Sequence, residues 1–598
     1  MYQVSEAYTT QIRKSIRDLS YIKIIFGITD PDADAEAVVE NNGQMSWSEN
    51  PEIEDLRTVD NTYATLELNR WVLNGTQQIL PDNAPYSYQA FVSDKFSDEE
   101  GTLLTSTIFT ITFATGYYSF SGLSFTFDSI VEEYPSEINV KGYLDDALVY
   151  ENTKSVDSVN YEYNERIPGV DTFVNKLVIS FTKTVLPHRR VRLEDLILGL
   201  RKIITSDKLV TSTWKRTNDL MNTVLPDESF NFTFFDPNKD YNPDNPEGLW
   251  EYIETGQQVR FSYGYQLEDG SIEWIPGSRY ITDGGATIEC GNTLPQVTFN
   301  TVSQIQVLND IYDEGVYNAI GATFYDLADN LLYWAGVHDL YGNKKYILDE
   351  SLKNYIMYKP LPVLPVKELL QLIANEGMCL LFTDRQGYIN IVPRKTEISN
   401  FAFTFNDILT NAPDINKYPF LKNLYVSYSL VQPESEVTEL VTIDIEDALE
   451  ELYTIEYSAA TNITASVGSG VTIDEIVGLY AYRAKLKLTG TGTVTISGKK
   501  LTSSDYVISK QFNVDGDDCM LETRLLEAKT HAMSYINWMG DVLVKRNNYT
   551  FADRGFPEID TCDIIEVDTA YTKNKQVNIV GTTITFNGGL SGESEVLG

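Results

Sequence analysis

Residues 258–265 read Gln-Val-Arg-Phe-Ser-Tyr-Gly-Tyr, and the turn Leu267-Glu268-Asp269-Gly270 and a second strand-like stretch at 271–275 follow them directly. Two alternating runs joined by an Asp-Gly turn predict a β-hairpin. Just upstream, Phe230, Phe232 and Phe234 stand at alternate positions and predict another strand. These strands are expected to close into a small β-barrel.

The composition extends this prediction to most of the chain. Its 598 residues include 38 tyrosines and 26 phenylalanines, and together with many Thr, Val and Ile residues they favour half-buried strands over helices. Tyrosine also supplies contact area with a polar group, so a large assembly surface explains the same count. Both explanations stay open at this point.

The charge excludes some classes of protein. The 46 Lys and Arg residues against 86 Asp and Glu residues give a formal net charge of −40, which would repel nucleic acid. The longest apolar run, near 331–337, is far shorter than the roughly 18 residues that a membrane-spanning helix needs. Residues 1–6 show no basic stretch followed by an apolar core, so we expect no secretory signal. The four cysteines are widely spaced, and we expect buried thiols.

The order of strand and helix patterns predicts a mainly β, multidomain fold with a small α/β unit. In that unit, Val366, Leu369, Leu370, Ile373 and Ala374 form one helical stripe before a hairpin. We also expect an acidic helical piece over Ile445–Leu452 and a long helix over 521–539. The predicted divisions are an N-terminal β-sandwich at 1–205, a first β-barrel at 206–310, the α/β unit at 311–400, a second β-barrel region at 401–515 and a C-terminal helix with strands at 516–598.

Motifs of catalysis are missing from the sequence. Its three histidines, His188, His338 and His531, lie in different segments, so a histidine triad or metal cluster would need long-range convergence. No G-x-S-x-G, H-E-x-x-H or P-loop motif occurs. We therefore expect no enzyme, no catalytic residue, no cofactor and no metal site.

One loop imitates a calcium-binding hand. Asp236, Asn238, Asp240, Asn242, Asp244 and Glu247 fall at positions 1, 3, 5, 7, 9 and 12 of a twelve-residue segment. Position 6 is Tyr241 where the sharp turn needs glycine, and a strand pattern precedes the loop. A proline-stiffened turn whose Asn and Asp side chains bond their own backbone is the favoured alternative.

Six residues are candidates for an interface: Arg189, Arg190, Arg192, Trp214, Trp250 and Trp274. An arginine group in an acidic protein can hold carboxylates of a neighbouring subunit through bidentate pairs. The alternative is that the arginines close the predicted sandwich locally.

Several turn-rich motifs between residues 213 and 598 occur together. They are Thr213-Trp214-Lys215-Arg216, Leu225-Pro226-Asp227-Glu228-Ser229-Phe230, Tyr241-Asn242-Pro243-Asp244-Asn245-Pro246, Val259 to Tyr265, Glu273-Trp274-Ile275-Pro276, Glu368 to Pro393, Arg554-Gly555, Pro557-Glu558, Cys562-Asp563-Ile564-Ile565 and Thr585-Phe586-Asn587-Gly588-Gly589-Leu590. As a set they resemble the tail hub family of bacteriophages of Gram-positive bacteria, including the hub module of tail-associated lysins without the lytic extension.

The resemblance implies a structural virion protein at the distal end of a phage tail. A homotrimer whose subunits each give two related β-barrels would imitate a six-fold ring, close the tail tube and open for DNA ejection. The implied partners are the tail tube or distal tail protein, peripheral baseplate or receptor-binding proteins and the tape measure protein. The chain would be assembled in the host cytoplasm. Because this chain ends at Gly598, lytic activity is expected to belong to another protein.

The segment Gly122 to Gly199 resembles a carbohydrate-binding sandwich, which makes a receptor-recognising adhesin the alternative function. We expect 1–205 to be an outward attachment or docking domain, and deletion of 1–205 to leave trimers that bind tube protein. The net charge predicts an acidic ring lumen along which DNA slides without specific contacts.

Overall fold

The computed structural model describes residues 1–30, 36–41, 91–93, 95–113, 116–120, 122–128, 132–163, 173–245, 248–290, 294–338, 344–409 and 413–598, with the short pieces 33, 63–64 and 78–79. Strands dominate these residues, as predicted. The helices are α1 (Glu6–Ile12), α2 (Gln304–Val307), α3 (Phe324–Trp334), α4 (Val366–Glu376) and α5 (Lys529–Leu543), with 3-10 turns at Trp250–Tyr252 and Glu350–Asn354. Within the described ranges, no helix has the length and apolar character to cross a membrane.

The strands before residue 200 are β1 (Ser20–Thr29), β2 (Ala37–Asn41), β3 (Tyr63–Ala64), β4 (Gln78–Ile79), β5 (Phe91–Val92), β6 (Thr102–Phe113), β7 (Leu123–Phe127), β8 (Glu137–Leu144), β9 (Ala147–Ser155), β10 (Asn160–Tyr163), β11 (Lys176–Lys183) and β12 (Arg192–Ile197).

The strands of the middle of the chain are β13 (Gly199–Thr205), β14 (Leu209–Thr217), β15 (Asp227–Phe235), β16 (Gln258–Gln266), β17 (Ile272–Thr282), β18 (Thr287–Glu289), β19 (Gln296–Phe299), β20 (Thr301–Ser303), β21 (Ile311–Tyr312), β22 (Ala322–Thr323), β23 (Tyr346–Leu348), β24 (Ile356–Met357), β25 (Leu364–Pro365), β26 (Leu380–Thr383) and β27 (Ile389–Val392).

The remaining strands are β28 (Ile398–Phe403), β29 (Asp414–Lys417), β30 (Leu421–Pro433), β31 (Thr438–Glu456), β32 (Ala460–Val467), β33 (Val471–Leu479), β34 (Arg483–Gln511), β35 (Asp517–Leu521), β36 (Asn547–Asp553), β37 (Ile564–Val567), β38 (Lys575–Phe586) and β39 (Leu590–Leu597).

A β-sandwich occupies the region between β1 and β13, and this confirms the predicted sandwich architecture. One sheet has the strand order β2-β6-β11-β8-β9 and the other β10-β7-β12-β5. Residues of β11 alternate between buried and partly exposed, with Leu177, Ile179 and Phe181 facing inward. Alternation of this kind places one face of each sheet on a shared core.

The sandwich is an insertion at the tip of a hairpin. Strand β1 pairs antiparallel with β13, and Thr29 stands directly opposite Gly199. A Cβ at position 199 would overlap the carbonyl oxygen of Ile28, so glycine suits the place where the chain re-enters the large sheet. The structure therefore differs from the predicted division at 1–205. Residues 1–29 and 199–205 belong with the large sheet, because β1 lies between β13 and β16 in it.

The large sheet has 15 strands and joins two lobes. The first lobe contains β1 and β13–β20 around an aromatic core in which Phe230 stacks on Phe261 at 3.7 Å between ring centroids. The second lobe contains β28, β29 and β36–β39 around a second core that includes Phe403 and Phe551. Helix α1 contributes Tyr8 to this core, and β16 and β17 of the first lobe contribute Tyr265 and Ile275. Strand β14 pairs with β38 and connects the two lobes through backbone hydrogen bonds.

The predicted second barrel at 401–515 is divided in the structure. Strands β28 and β29 join the second lobe, whereas β30–β35 form a separate six-stranded sheet. The C-terminal half of β34 pairs with β30, and α5 packs against them. Helix α5 begins at Lys529, later than the predicted start at 521.

We call residues 434–500 the arm. They extend beyond the last pair of β30 with β34, Pro433 and Leu501, so the arm is also an insertion at the tip of a hairpin. Within it, the N-terminal half of β34 lies between β31 on one side and β32 and β33 on the other.

The predicted helix over Ile445–Leu452 is wrong, because this segment lies within β31. Bulges fall between Ile445 and Ala448 and between Leu449 and Glu451. Each bulge adds a residue to one strand only. Ile445 and Ala448 therefore both point into the arm's core although they are three positions apart. The bulges produced the helix-like apolar spacing.

The α/β unit follows its prediction closely. Helix α4 buries the predicted stripe, and the hairpin β26–β27 continues from it. The cysteine prediction holds for Cys379 and Cys562, which are buried; Cys519 is partly exposed, and Cys290 is exposed, contrary to expectation.

Candidate functional site

The junction between the two lobes and the α/β unit contains a group of charged side chains that we call the charged junction: Arg216, Glu228, Arg385 and Asp560. Arg216 lies on β14, the strand that pairs with both β15 and β38. It stacks on Trp214, with 3.6 Å between the guanidinium carbon and the ring centroid. The Trp214 indole N–H donates to the hydroxyl of Tyr280 over 2.6 Å.

Asp560 links three parts of the chain. Its carboxylate accepts hydrogen bonds from Arg216 of the first lobe at 2.9 Å and from Arg385 of the β26–β27 turn at 2.6 Å. Burial raises the pKa of Asp560, but the two guanidinium groups outweigh burial and hold that pKa well below its usual value. Arg385 also donates to the backbone carbonyls of Pro276 and Pro557, which fixes the turn against both lobes.

Glu228 stands opposite Arg216 in the β14–β15 register. Its side chain is buried, and burial raises its pKa to about 8, although Arg216 partly opposes this shift. The junction therefore contains an acid that is protonated near neutral pH beside one that stays ionised.

A second buried carboxyl ties α4 to the segment before α5. Glu376 accepts hydrogen bonds from the backbone N–H groups of Arg524, Leu525 and Leu526 over 2.8–2.9 Å. Burial raises its pKa to about 7 despite these bonds. Since its partners are backbone groups of the protein, this carboxyl has a structural role and links α4 to the segment before α5.

The three predicted tryptophans lie in different environments. Trp214 is 1% exposed and belongs to the charged junction, so it contacts the interior of its own chain. Trp250 is half-buried in a 3-10 turn. Trp274 is 38% exposed on β17, with the Lys23 ammonium 5.9 Å from its ring centroid. Of the three, Trp274 offers the most surface to a partner, and its interface role stays a prediction.

The predicted arginine group lies on the sandwich. Arg192 is buried and donates to Glu133 at 3.0 Å, which is the local alternative considered above. The Arg190 guanidinium lies 4.6 Å from the ring centroid of Phe96. The backbone N–H of Arg189 donates to the hydroxyl of Ser97 at 3.1 Å. The structure thus brings these three residues to groups of their own domain, and contact with another subunit stays a prediction.

The calcium-like loop has the geometry of a closed turn. The Asp236 carboxylate accepts the backbone N–H groups of Asp240 and Tyr241, both at 3.0 Å. Tyr241 is buried against Phe234 and Phe299. Glu247, the expected bidentate ligand, lies outside the described residues. The carboxylate at position 1 is thereby engaged by the loop's own backbone.

The histidines remain separate. His531 is buried on α5, stacks on Tyr355 and has its pKa lowered to about 4 by burial. His338 stacks on Tyr333 after α3, and His188 is exposed on the sandwich. Over the described residues, no three His, Cys, Asp or Glu side chains are placed to hold a metal ion.

Sequence inspection missed the pairing of Arg385 with Asp560, because 175 positions separate them. Arg385 stands in a predicted turn and Asp560 in an unpatterned loop. The available signal was that Arg216 follows Trp214 by two positions, a spacing that places both side chains on one face if the segment is a strand.

The sequence matches no protein-family model and no curated protein. Among solved structures, a tail protein from Neisseria meningitidis MC58 aligns at a TM-score of 0.38 with 9% identity, over 66% of this chain and 94% of that one. The 43 kDa tail protein of prophage MuSo2 from Shewanella oneidensis gives a TM-score of 0.39 and 9% identity, over 66% and 95%. Prophage tail protein gp18 from Listeria monocytogenes EGD-e gives 0.36 and 8%, over 66% and 91%. These are partial likenesses.

Proposed function

We propose that this protein is a structural component of a phage virion: a homotrimeric hub at the distal end of the tail that closes the tail tube and opens for DNA ejection. The observation that carries the proposal is the pair of lobes, each with its own core, joined in one sheet by β14 and β38. The motifs that resemble the tail hub family lie mainly on these lobes and on the α/β unit between them.

Two lobes in each subunit would allow a trimer to match a six-fold tail tube. A trimer can meet a six-fold tube without strain only if each subunit presents two comparable surfaces. Two lobes in each of three subunits supply six. Because β14 and β38 exchange backbone hydrogen bonds from Ser212–Phe586 to Thr217–Gly581, the two lobes would hold a fixed spacing in such a ring.

Charge fits the same role. A net charge of −40 disfavours retention of a polyanion. DNA passing an acidic lumen would slide, since it finds few cations to which its phosphates could bind. The proposal assigns no enzymatic activity and no cofactor to this chain.

The sandwich is proposed as the docking domain for peripheral baseplate or receptor-binding proteins. It enters and leaves the first lobe at Thr29 and Gly199, which are paired neighbours. A domain attached at one hairpin tip can be varied or removed without breaking the strands that support it. The ring itself would bind the tail tube or distal tail protein, with the tape measure protein as a further partner.

The decisive experiment compares two excision variants with the full chain. In one, an Asn-Gly turn replaces residues 30–198 and reconnects Thr29 with Gly199. In the other, the same turn replaces the arm, residues 434–500, and reconnects Pro433 with Leu501. Native mass spectrometry should give trimers for all three chains, and all three should bind purified tube protein.

Only the sandwich-excised chain should fail to recruit peripheral tail proteins in a reconstituted tail tip, so the arm-excised chain is its matched control. A full chain that stays monomeric, or that forms a true hexamer on the tail, would contradict the trimeric hub. Recruitment that survives removal of the sandwich would contradict the docking role alone.

A further inference from the structure

An open groove lies at one end of the five-stranded sheet of the sandwich. Residues 116–117, which follow β6, lie there beside the β8–β9 turn and Phe173, which precedes β11. The groove has a volume of about 570 Å³, and its lining is Gly116, Tyr117, Leu144, Asp145 and Phe173. Small-molecule sites commonly occupy about 300–1,000 Å³. Loops at the end of a rigid sandwich are common positions for binding residues.

Two aromatic rings in this groove face solvent. Tyr117 is 52% exposed and Phe173 is 45% exposed. Elsewhere in the sandwich, Phe109, Phe125 and Phe181 are each less than 5% exposed, whereas Phe96 is 51% exposed and has the Arg190 guanidinium against its ring. Tyr117 and Phe173 thus leave about half of their surface in water at one groove, and such grouped apolar exposure commonly marks a binding site.

Polar groups stand beside the rings in a fixed arrangement. Asn175 donates its side-chain N–H to Asp145 Oδ1 at 3.1 Å, and the backbone N–H of Asp145 donates to Asn175 Oδ1 at 3.2 Å. The Tyr117 hydroxyl also donates to Asp145 Oδ1, at 3.3 Å. Among the described residues, Asp145 Oδ2 has no hydrogen-bond partner, so it can accept from a ligand.

The two exposed rings and the Asp145 carboxylate together favour one class of ligand. A pyranose ring has an apolar C–H face, which packs on an aromatic ring, and a rim of hydroxyls, which donate to a carboxylate. Anionic ligands are disfavoured, since the lining contains Asp145 and lacks a cation. We propose that this groove binds a neutral pyranose unit of a saccharide, with Tyr117 and Phe173 as the stacking rings and Asp145 as the hydroxyl acceptor.

The proposal is tested by saturation-transfer NMR on the full chain. The probes are glucose, galactose, rhamnose and N-acetylglucosamine as free sugars, and a neutral cell-wall polysaccharide as the second source of the same unit. We expect at least one probe to bind. Tyr117→Ala and Phe173→Ala should each weaken that binding about tenfold.

Asp145→Asn removes the charge and keeps a residue that tolerates the left-handed backbone at this position, where φ is 48°. It should also weaken binding. Tyr571→Ala is the control, since this tyrosine is 88% exposed on the β37–β38 connection of the second lobe, and it should bind like the parent chain.

Three outcomes would overturn the proposal: no probe binds, binding survives the Tyr117→Ala/Phe173→Ala double substitution, or these substitutions instead abolish association between copies of the chain. Binding of the polysaccharide without the free sugars would support it and would assign the polymer as the ligand. The inference does not depend on the hub proposal. Loss of sugar binding with trimers intact would leave the hub proposal standing, and sugar binding by a monomer would support the groove alone.

Discussion

The sandwich and the arm both enter the molecule at a hairpin tip, yet different interactions hold them together. The sandwich closes two sheets over an aromatic core that includes Phe109, Phe127 and Phe181. The arm places three strands against one long strand and buries a smaller, aliphatic core that includes Leu486, Leu488 and Ile496. A small core buries a smaller fraction of its chain's surface and stabilises it less.

The arm compensates through contacts with the α/β unit. Asp313 accepts from Arg483 at 3.1 Å and from Lys485 at 2.7 Å, and the backbone N–H of Ala481 donates to the carbonyl of Gly315 at 2.8 Å. An insertion with a complete two-layer core is thus attached through its two connecting strands, whereas one with a partial core relies on contacts with its neighbour as well.

The strongest test of this contrast is Phe181→Ala. Phe181 is fully buried among Phe109, Phe125 and Phe127, so its truncation should lower the free energy of unfolding of the sandwich by about 3–5 kcal/mol. Hydrogen exchange should speed up across the sandwich strands and stay unchanged in both lobes. Phe173→Ala, at an exposed position, should change stability by no more than about 0.5 kcal/mol. Equal exchange in the lobes and the sandwich would show that the sandwich does not fold independently.

Leu486→Ala is the corresponding change in the arm. Leu486 is fully buried, but the partly exposed walls around it can relax, so we expect a loss of about 2 kcal/mol, at the low end for such truncations. Exchange should increase over 438–500 while the half of β34 that pairs with β30 stays protected. The exposed Leu452→Ala is the control. Loss of protection throughout β34 would mean that the arm and the pairing of β30 with β34 unfold as one unit.

The first lobe, which carries the sandwich, should respond to pH through Glu228. Its pKa is raised from 4.5 to about 8 in the folded protein, so the folded state binds this proton more tightly than the unfolded state does. Stability should therefore fall as pH rises from about 5 to 8, by up to about 1.4 kcal/mol per pH unit.

Glu228→Gln should remove this part of the dependence in urea unfolding followed across the same pH range. Glu376 and Glu558, whose pKa values are each raised to about 7 by burial, act in the same direction. The difference between parent and variant therefore isolates Glu228. Identical pH profiles would contradict the assignment.

The smallest expected effect is at the ion pairs of Asp313 with Arg483 and Lys485, which we call the arm's anchor. Burial raises the pKa of Asp313, but hydrogen bonds from Lys485 and Arg483 outweigh it and lower that pKa overall. The anchor therefore stabilises the arm above the ordinary pKa of 3.8 and is lost as pH falls through the lower folded value. Asp313→Asn should cost about 1 kcal/mol at neutral pH.

The effect of Asp313→Asn is expected as faster exchange in the arm without a change in the sandwich. Glu436→Gln, at an exposed position of the arm, is the matched control. A variant with unchanged exchange in the arm would show that its strands hold it without the ionic anchor.

The sequence alone determined the class of the fold and several of its parts. Alternating residues such as Phe230, Phe232 and Phe234 predicted strands correctly, and the stripe from Val366 to Ala374 predicted α4, because side-chain periodicity is a local property of each element. The sandwich architecture and the hairpin at 258–275 followed from the same kind of pattern together with turn residues. The sequence also offered local closure of the sandwich as an alternative role for Arg192, but it did not identify Glu133 as the partner.

Tertiary structure alone decided how these parts connect. The pairing of β1 with β13 and β16 places the N-terminal residues in the large sheet. The bulges of β31 give this strand the apolar spacing from which a helix was predicted. Asp560 meets Arg216 and Arg385 only because β14, the β26–β27 turn and the loop before β37 converge. Likewise, Tyr117, Asp145 and Phe173 form one groove because three loops meet at one end of a sheet. Contacts between distant residues depend on strand order and register, which no local periodicity encodes.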